Sequence, residues 1–222
     1  QSAVREKIAE AARKAAPTRA QLTAEQVYNR AWAKWEAADY QGVVADCTEA
    51  ITLDDHYAPA YNLRGMAWLK LGDTTKALSN HNLAIRMDPQ TSEYYCNRAL
   101  AYKTRGELDQ ALADYDKSLE LGNPEPETPY LGRGIVRYKL QNPAGALADF
   151  SAALRHRPAF PAALAWRGAT YRDMGRIEEA IADLEQYLAV GGERSGPSSR
   201  AEVEEQIRLL RERQSGKKRR SR

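Results

Sequence analysis

Cysteine is scarce in this chain, and where it occurs it builds no framework. Cys47 and Cys96 are the two among 222 residues. They are too few for a disulfide scaffold and lack the paired spacing of a metal site, so both are expected as thiols in the interior or facing a groove. Histidine is equally thin: His56, His81 and His156 share no interval that would gather them at one place. No apolar run approaches the ~20 residues that a membrane-crossing helix needs. A phosphate-binding loop is missing too, because Gly216-Lys217 lacks both the upstream glycine and the following Ser or Thr. Gly132-Arg133-Gly134 sits in a helical context rather than after a strand, which excludes a dinucleotide turn. No Ser-His-Asp or paired-carboxylate set stands out. The chain is expected to be no enzyme, and to need neither cofactor nor metal.

An excess of one charge is also lacking once position is considered. The formal charge is +3, from 33 basic and 30 acidic residues. Five of the basic ones (Lys217, Lys218, Arg219, Arg220 and Arg222) lie in the last six positions. Taking five from 33 leaves 28 basic against 30 acidic, a balance of −2 for the rest. Affinity for nucleic acid or acidic lipid is therefore expected only in residues 215–222, read as a disordered basic tail. The first residue is Gln1 and not Met. A soluble protein is expected, cytoplasmic by preference, with a processed and exported form as the alternative.

What the chain does have is repetition. Arg30, Arg64, Arg98, Arg133 and Arg167 follow one another at gaps of 34, 34, 35 and 34. Each stands in the same frame, which divides the chain into 24–57, 58–91, 92–125, 127–160 and 161–194, with Pro126 as one extra residue. In the second repeat the frame is Tyr61, Gly65, Trp68, Gly72, Ala77, Ala84 and Pro89; in the third it is Tyr95, Ala99, Tyr102, Gly106, Ala111, Tyr115 and Ser118. The fourth gives Tyr130, Gly134, Ala146, Phe150 and Pro158, and the fifth Leu164, Gly168, Tyr171, Gly175 and Ala180. The first is the most worn, with Val27, Ala31, Val43, Cys47 and Ala50.

The frame has a physical reading. Gly or Ala at the eighth and twentieth positions lets two antiparallel helices approach closely. Aromatics on the same helical face fill the remaining volume. Gly72, Gly106 and Gly175 fall where a first helix ends and a left-handed residue is wanted. Asp73 and Glu107 begin two of the second helices with negative charge. Departures are local: Lys34 and Arg137 replace the aromatic late in the first helix, and Asn142-Pro143 replaces the glycine turn.

Sixteen residues after each repeated arginine comes a polar partner: Asp46, Asn80, Asp114, Asp149 and Asp183. A partly buried guanidinium needs a carboxylate, and its two-pronged donor suits one. Arg30, Arg64, Arg98, Arg133 and Arg167 are thus expected in structural ion pairs and not as phosphate grips. Pairing within a repeat would leave Arg64 facing Asn80 and short of a carboxylate. Pairing between repeats would leave Arg98 short instead.

On these residues the chain resembles the tetratricopeptide-repeat family over 24–194. The resemblance implies an all-α fold, an α-α superhelix of five hairpins, and first helices that line a concave, protein-binding side. The second, fifth, ninth and twelfth residues of each repeat would face it. The expected groove is Tyr28, Trp32 and Trp35, then Asn62, Met66 and Leu69, then Asn97, Leu100, Lys103 and Tyr138. The expected occupant is a peptide or helix of another protein. Residues 1–22, an N-terminal arm carrying Val4, Ile8, Ala11, Ala12 and Ala15 on one stripe, are the alternative cover. The lysine and asparagine clamp by which some members hold chaperone tails is absent, since Tyr28 and Trp32, Asn62 and Met66, and Cys96 and Leu100 stand at its places. Thr23 to Gln26 has capping-box spacing, and residues 195–214 are expected to form a loop and a capping helix with Val203, Ile207 and Leu210 on one side. Two further roles stay open: a permanent structural subunit of a larger assembly, or a nucleic-acid-associated protein acting through the tail.

Overall fold

A computed structural model describes residues 22–192 and 199–220. The expected N-terminal arm and its stripe therefore lie outside the described residues, apart from Leu22. Among the described residues there are helices and no strands. They form two compact units, one ending at Pro89 and the other beginning at Gln90.

The first unit holds α1 (Ala24–Glu36), α2 (Tyr40–Leu53), α3 (Ala58–Lys70) and α4 (Thr74–Met87). Helix α1 pairs with α2, α3 with α4, and α2 packs on α3. The start of α1 is a capping box: the Gln26 amide donates to Thr23 Oγ1 at 3.2 Å and the Thr23 amide to Gln26 Oε1 at 2.9 Å. Asp39 and Asp73 cap α2 and α4, accepting from the amides of Gly42 and Lys76, each at 2.9 Å. Val27, Ala31, Val43, Cys47, Ala50, Ala60, Leu63 and Ala67 make its core. The small residues do what close approach requires: a Cβ on Gly65 would lie 2.8 Å from His81 Cε1.

The second unit holds α5 (Ser92–Arg105), α6 (Leu108–Glu120), α7 (Glu127–Lys139), α8 (Pro143–His156), α9 (Pro161–Asp173), α10 (Ile177–Ala189) and α11 (Arg200–Arg220). Three hairpins, α5–α6, α7–α8 and α9–α10, stack through α6 on α7 and α8 on α9, with α11 on α10. The extra residue Pro126 is absorbed before α7, where it serves as the N-cap. Phe150 is fully buried beneath Gly134, where a Cβ would lie 2.6 Å from its ring. Burying a side chain of that size contributes ~1.5–3 kcal/mol. Helix α11 buries Val203, Ile207 and Leu210 in one cluster with Leu164, Ile181 and Tyr187, so the last hairpin's apolar face is sealed.

One expectation needs correction. The turn after α7 does not exchange glycine for Asn142-Pro143. Gln141 occupies the left-handed position (φ 57°), as Ala38 does in the first repeat (φ 57°), matching Gly72, Gly106 and Gly175. Asn142 is instead the cap of α8, accepting from the Gly145 amide at 2.9 Å, with Pro143 at the first helical turn. Helix α11 runs to Arg220, and Ser215 Oγ donates to the Arg211 carbonyl at 3.0 Å.

Candidate functional site

The five arginines pair within their own repeats. Arg30 Nε and Nη2 donate to Asp46 at 2.9 and 2.8 Å, Arg98 to Asp114 at 2.7 Å twice, and Arg167 to Asp183 at 2.8 and 2.6 Å. Arg133 Nη2 reaches Asp149 at 2.6 Å. Arg64 meets the amide oxygen of Asn80 at 2.8 Å and has no ion-pair partner among the described residues. The electrostatics follow. Burial alone would lower each guanidinium, but the carboxylates of Asp114 and Asp149 hold Arg98 and Arg133 above their ordinary value. Burial leaves Arg64 below it.

These arginines also tie consecutive repeats together. Arg64 Nη1 donates back to Thr48 Oγ1 at 3.1 Å, Arg133 Nη1 to Asp116 at 2.5 Å and Arg167 Nη1 to Ser151 Oγ at 3.3 Å. Three guanidiniums lie over a tyrosine three residues earlier, Arg64 over Tyr61, Arg98 over Tyr95 and Arg133 over Tyr130, at 5.3 to 5.6 Å. With two prongs engaged, these side chains are held as ties within and between repeats.

Lys34 and Arg137 turn out to be second cations on the same aspartates. Lys34 Nζ lies 2.7 Å from Asp46 and Arg137 Nη1 2.8 Å from Asp149. In both repeats the nineteenth residue is glycine, and the long stem runs over it: a Cβ on Gly42 would meet Lys34 Cδ at 2.8 Å, and one on Gly145 would meet Arg137 Cδ at 3.1 Å. Where the aromatic is kept, as Trp68, the nineteenth residue is Lys76, whose ammonium sits 4.1 Å from the ring centre.

The expected groove residues divide by unit. In the first, Tyr28, Trp32, Trp35, Tyr40 and Tyr57 form a chain of edge-to-face rings with centroids 5.2 to 6.3 Å apart. Trp32 is 37% exposed, an unusual place for so large an apolar ring. Met66 and Leu69 are half-buried nearby on α3. Asn62 departs from the expectation: it is buried, with Oδ1 3.0 Å from His81 Nδ1. His81 stands where other repeats place Tyr115 or Phe150, so the interior there is polar and draws Asn62 inward. In the second unit Leu100 is exposed, while Asn97, Lys103 and Tyr138 are half-buried. The Tyr138 hydroxyl donates to Asp173 at 2.5 Å and its ring meets Trp166 at 5.5 Å.

Two tetratricopeptide-repeat family models match the chain, at residues 92–122 and 131–199. This is a tetratricopeptide-repeat protein. A protein SGT1 homolog of Bos taurus is 39% identical over 79 residues, covering 36% of the chain and 23% of that relative. An Hsp70-Hsp90 organizing protein of Triticum aestivum is 28% identical over 95 residues, 43% of the chain and 16% of its own length. The chain thus spans under a quarter of these relatives. Among solved structures, PilW, a type IV pilus biogenesis factor, aligns with a TM-score of 0.72 at 22% identity, over 76% of the chain and 78% of its own. A thermophilic tetratricopeptide protein of Thermus thermophilus gives 0.65 at 20%, over 85% and 98%. At those identities the likeness is one of fold.

Within the tetratricopeptide frame, two further features escaped the sequence. Gly132 lies under the Tyr115 ring of the preceding hairpin, where a Cβ would be 2.3 Å from Tyr115 Cζ. The signal was the small residue two places before the frame's own glycine. Asp54, Asp55 and His56 bring three donor atoms within 4.8 Å of one another at an exposed turn. His56 there is already bonded to Asp55 at 2.6 Å.

Proposed function

We propose that this tetratricopeptide-repeat protein is a non-enzymatic adaptor whose first unit holds a peptide or helical segment of another protein. Trp32 supports this most directly. A tryptophan 37% exposed, fixed edge-on between two other rings, offers a rigid apolar anchor of the kind that dominates interface energetics. Around it Tyr28, Trp35, Tyr40 and Tyr57 are half-buried, so one exposed ring stands on an apolar platform of the kind that marks interaction sites. Membership of a repeat family whose relatives include an Hsp70-Hsp90 organizing protein fits a binding role, while the chaperone-tail clamp is not built here. No helix among the described residues is long and apolar enough to cross a membrane. The test is a comparison of partners captured by the wild type and by Trp32→Ala, a surface change that leaves the core rings in place. Partners should be lost without a change in helical content. Capture of the same proteins by both would refute the aromatic face as the binding site.

A further inference from the structure

Many cations in the second unit have a carboxylate partner, while exposed ones such as Arg155 and Arg157 have none among the described residues. Arg98, Arg133, Arg137 and Arg167 have their aspartates, Arg105 has Glu107, Lys117 has Glu120, Arg172 has Asp173 and Arg176 has Glu179. Lys103 is different. It is half-buried on α5, yet no hydrogen bond or ion pair engages its ammonium among the described residues. Its charged neighbour is another cation: burial first, and then the like charge of Lys139, hold the Lys103 ammonium below its usual value. Lys139 at the end of α7 has no carboxylate partner among the described residues either.

The two lysines share one arrangement. On α5, exposed Leu100 precedes Lys103 by three residues, so both stand on one helical face. On α7, Ile135 precedes Lys139 by four. Helices α5 and α7 pack side by side, so half-buried Lys103 and exposed Lys139, with Leu100 and Ile135, belong to neighbouring first helices. The third hairpin repeats the arrangement with Ala169 and Arg172, but there Asp173 neutralises the cation at 3.0 Å. A partly desolvated lysine without a counter-ion is costly to keep, and a ligand carboxylate would remove that cost while an apolar neighbour covers Leu100 and Ile135.

We infer that Leu100, Lys103, Ile135 and Lys139 form a docking face for a segment of a partner protein in which a Glu or Asp side chain sits beside an aliphatic one. The inference rests on the adaptor reading and gives the second unit a ligand chemistry of its own. These positions are not those of the chaperone-tail clamp, which calls for Lys at the fifth and Asn at the ninth place of a repeat.

The experiment uses the whole chain with 13C-labelled lysine, titrated with the capped peptide acetyl-Ala-Leu-Glu-Leu-Ala-amide and its Gln counterpart. The Glu peptide should shift the Lys103 and Lys139 signals and bind at least roughly tenfold more tightly than the Gln peptide. Lys103→Met, which keeps the aliphatic stem, should bring the two affinities together without altering the circular dichroism spectrum. Equal affinities for Glu and Gln in the wild type would overturn the charge recognition and leave the adaptor reading standing, because Trp32→Ala capture tests that separately. Failure of both peptides to bind at millimolar concentration would overturn the face itself. Displacement of the Glu peptide by inorganic phosphate at equal concentration would make it a general anion site. Lysine shifts that change on dilution without peptide would assign the face to a second copy. Either result sinks the inference.

Discussion

Replacing an arginine of the series by methionine removes charge while keeping a side chain of similar length, and the structure ranks the cost of doing so. Arg167→Met leaves Asp183, whose side chain is 5% exposed, with no other cation among the described residues. Orphaning a buried charge costs ~3–5 kcal/mol, and some exposure of the guanidinium (20%) places this at the low end, about 3 kcal/mol. Arg133→Met leaves Asp149 still held by Arg137 at 2.8 Å. Arg133 also donates through Nε to Asp149 and through Nη1 to exposed Asp116. No buried charge is orphaned, so the loss should stay below that at Arg167, at about 2 kcal/mol, within the ~1.5–3 kcal/mol of charge-assisted hydrogen bonding. Both residues lie in the second unit and can be compared directly by urea denaturation followed by far-ultraviolet circular dichroism. A loss at Arg133 equal to or above that at Arg167 would refute the second-cation reasoning.

Gln141→Gly should stabilise the fold. A left-handed L residue costs ~1–2 kcal/mol, of which glycine's freedom in the unfolded chain takes back ~0.4–1. A thermal melt should show a higher Tm, and a fall would mean that the Gln141 side chain contributes contacts the backbone argument omits. Cys47 and Cys96 are buried, and burial pushes both thiols up to about 12. Neither should react with a thiol reagent at about pH 8 in the native state, while both should react in urea. Rapid native labelling of Cys96 would show that α5 opens locally.

The alternation of helices was legible because the chain states it redundantly, with small residues at two fixed places, glycine after first helices and proline after second ones. The intra-repeat pairing was not, since one spacing of sixteen serves either topology until Arg64 is seen facing Asn80. Asn62 was placed on the groove by helical periodicity alone. Its fifth-place position lies at the border of two faces, and a polar histidine in the interior tips it inward. Lys34 and Arg137 looked like lost aromatics because an aromatic and a long cation fill the same space by different means. The clue lay at a distance, in Gly42 and Gly145 eight residues on.

The exchange of an aromatic for a stretched cation, always with glycine across from it, has a practical meaning for anyone cutting and joining these hairpins. Positions eleven and nineteen form one mechanical part. Enlarging Gly42 alone would crowd the Asp39 cap, whose Oδ2 lies 2.0 Å from where a methyl would go, and then the Lys34 stem, whose Cδ lies at 2.8 Å. Returning an aromatic at 137 alone would take from Asp149 the cation that stands in reserve. Chimeras that carry both residues across a junction keep the hairpin intact, and those that divide them inherit either a collision or a carboxylate with one cation fewer.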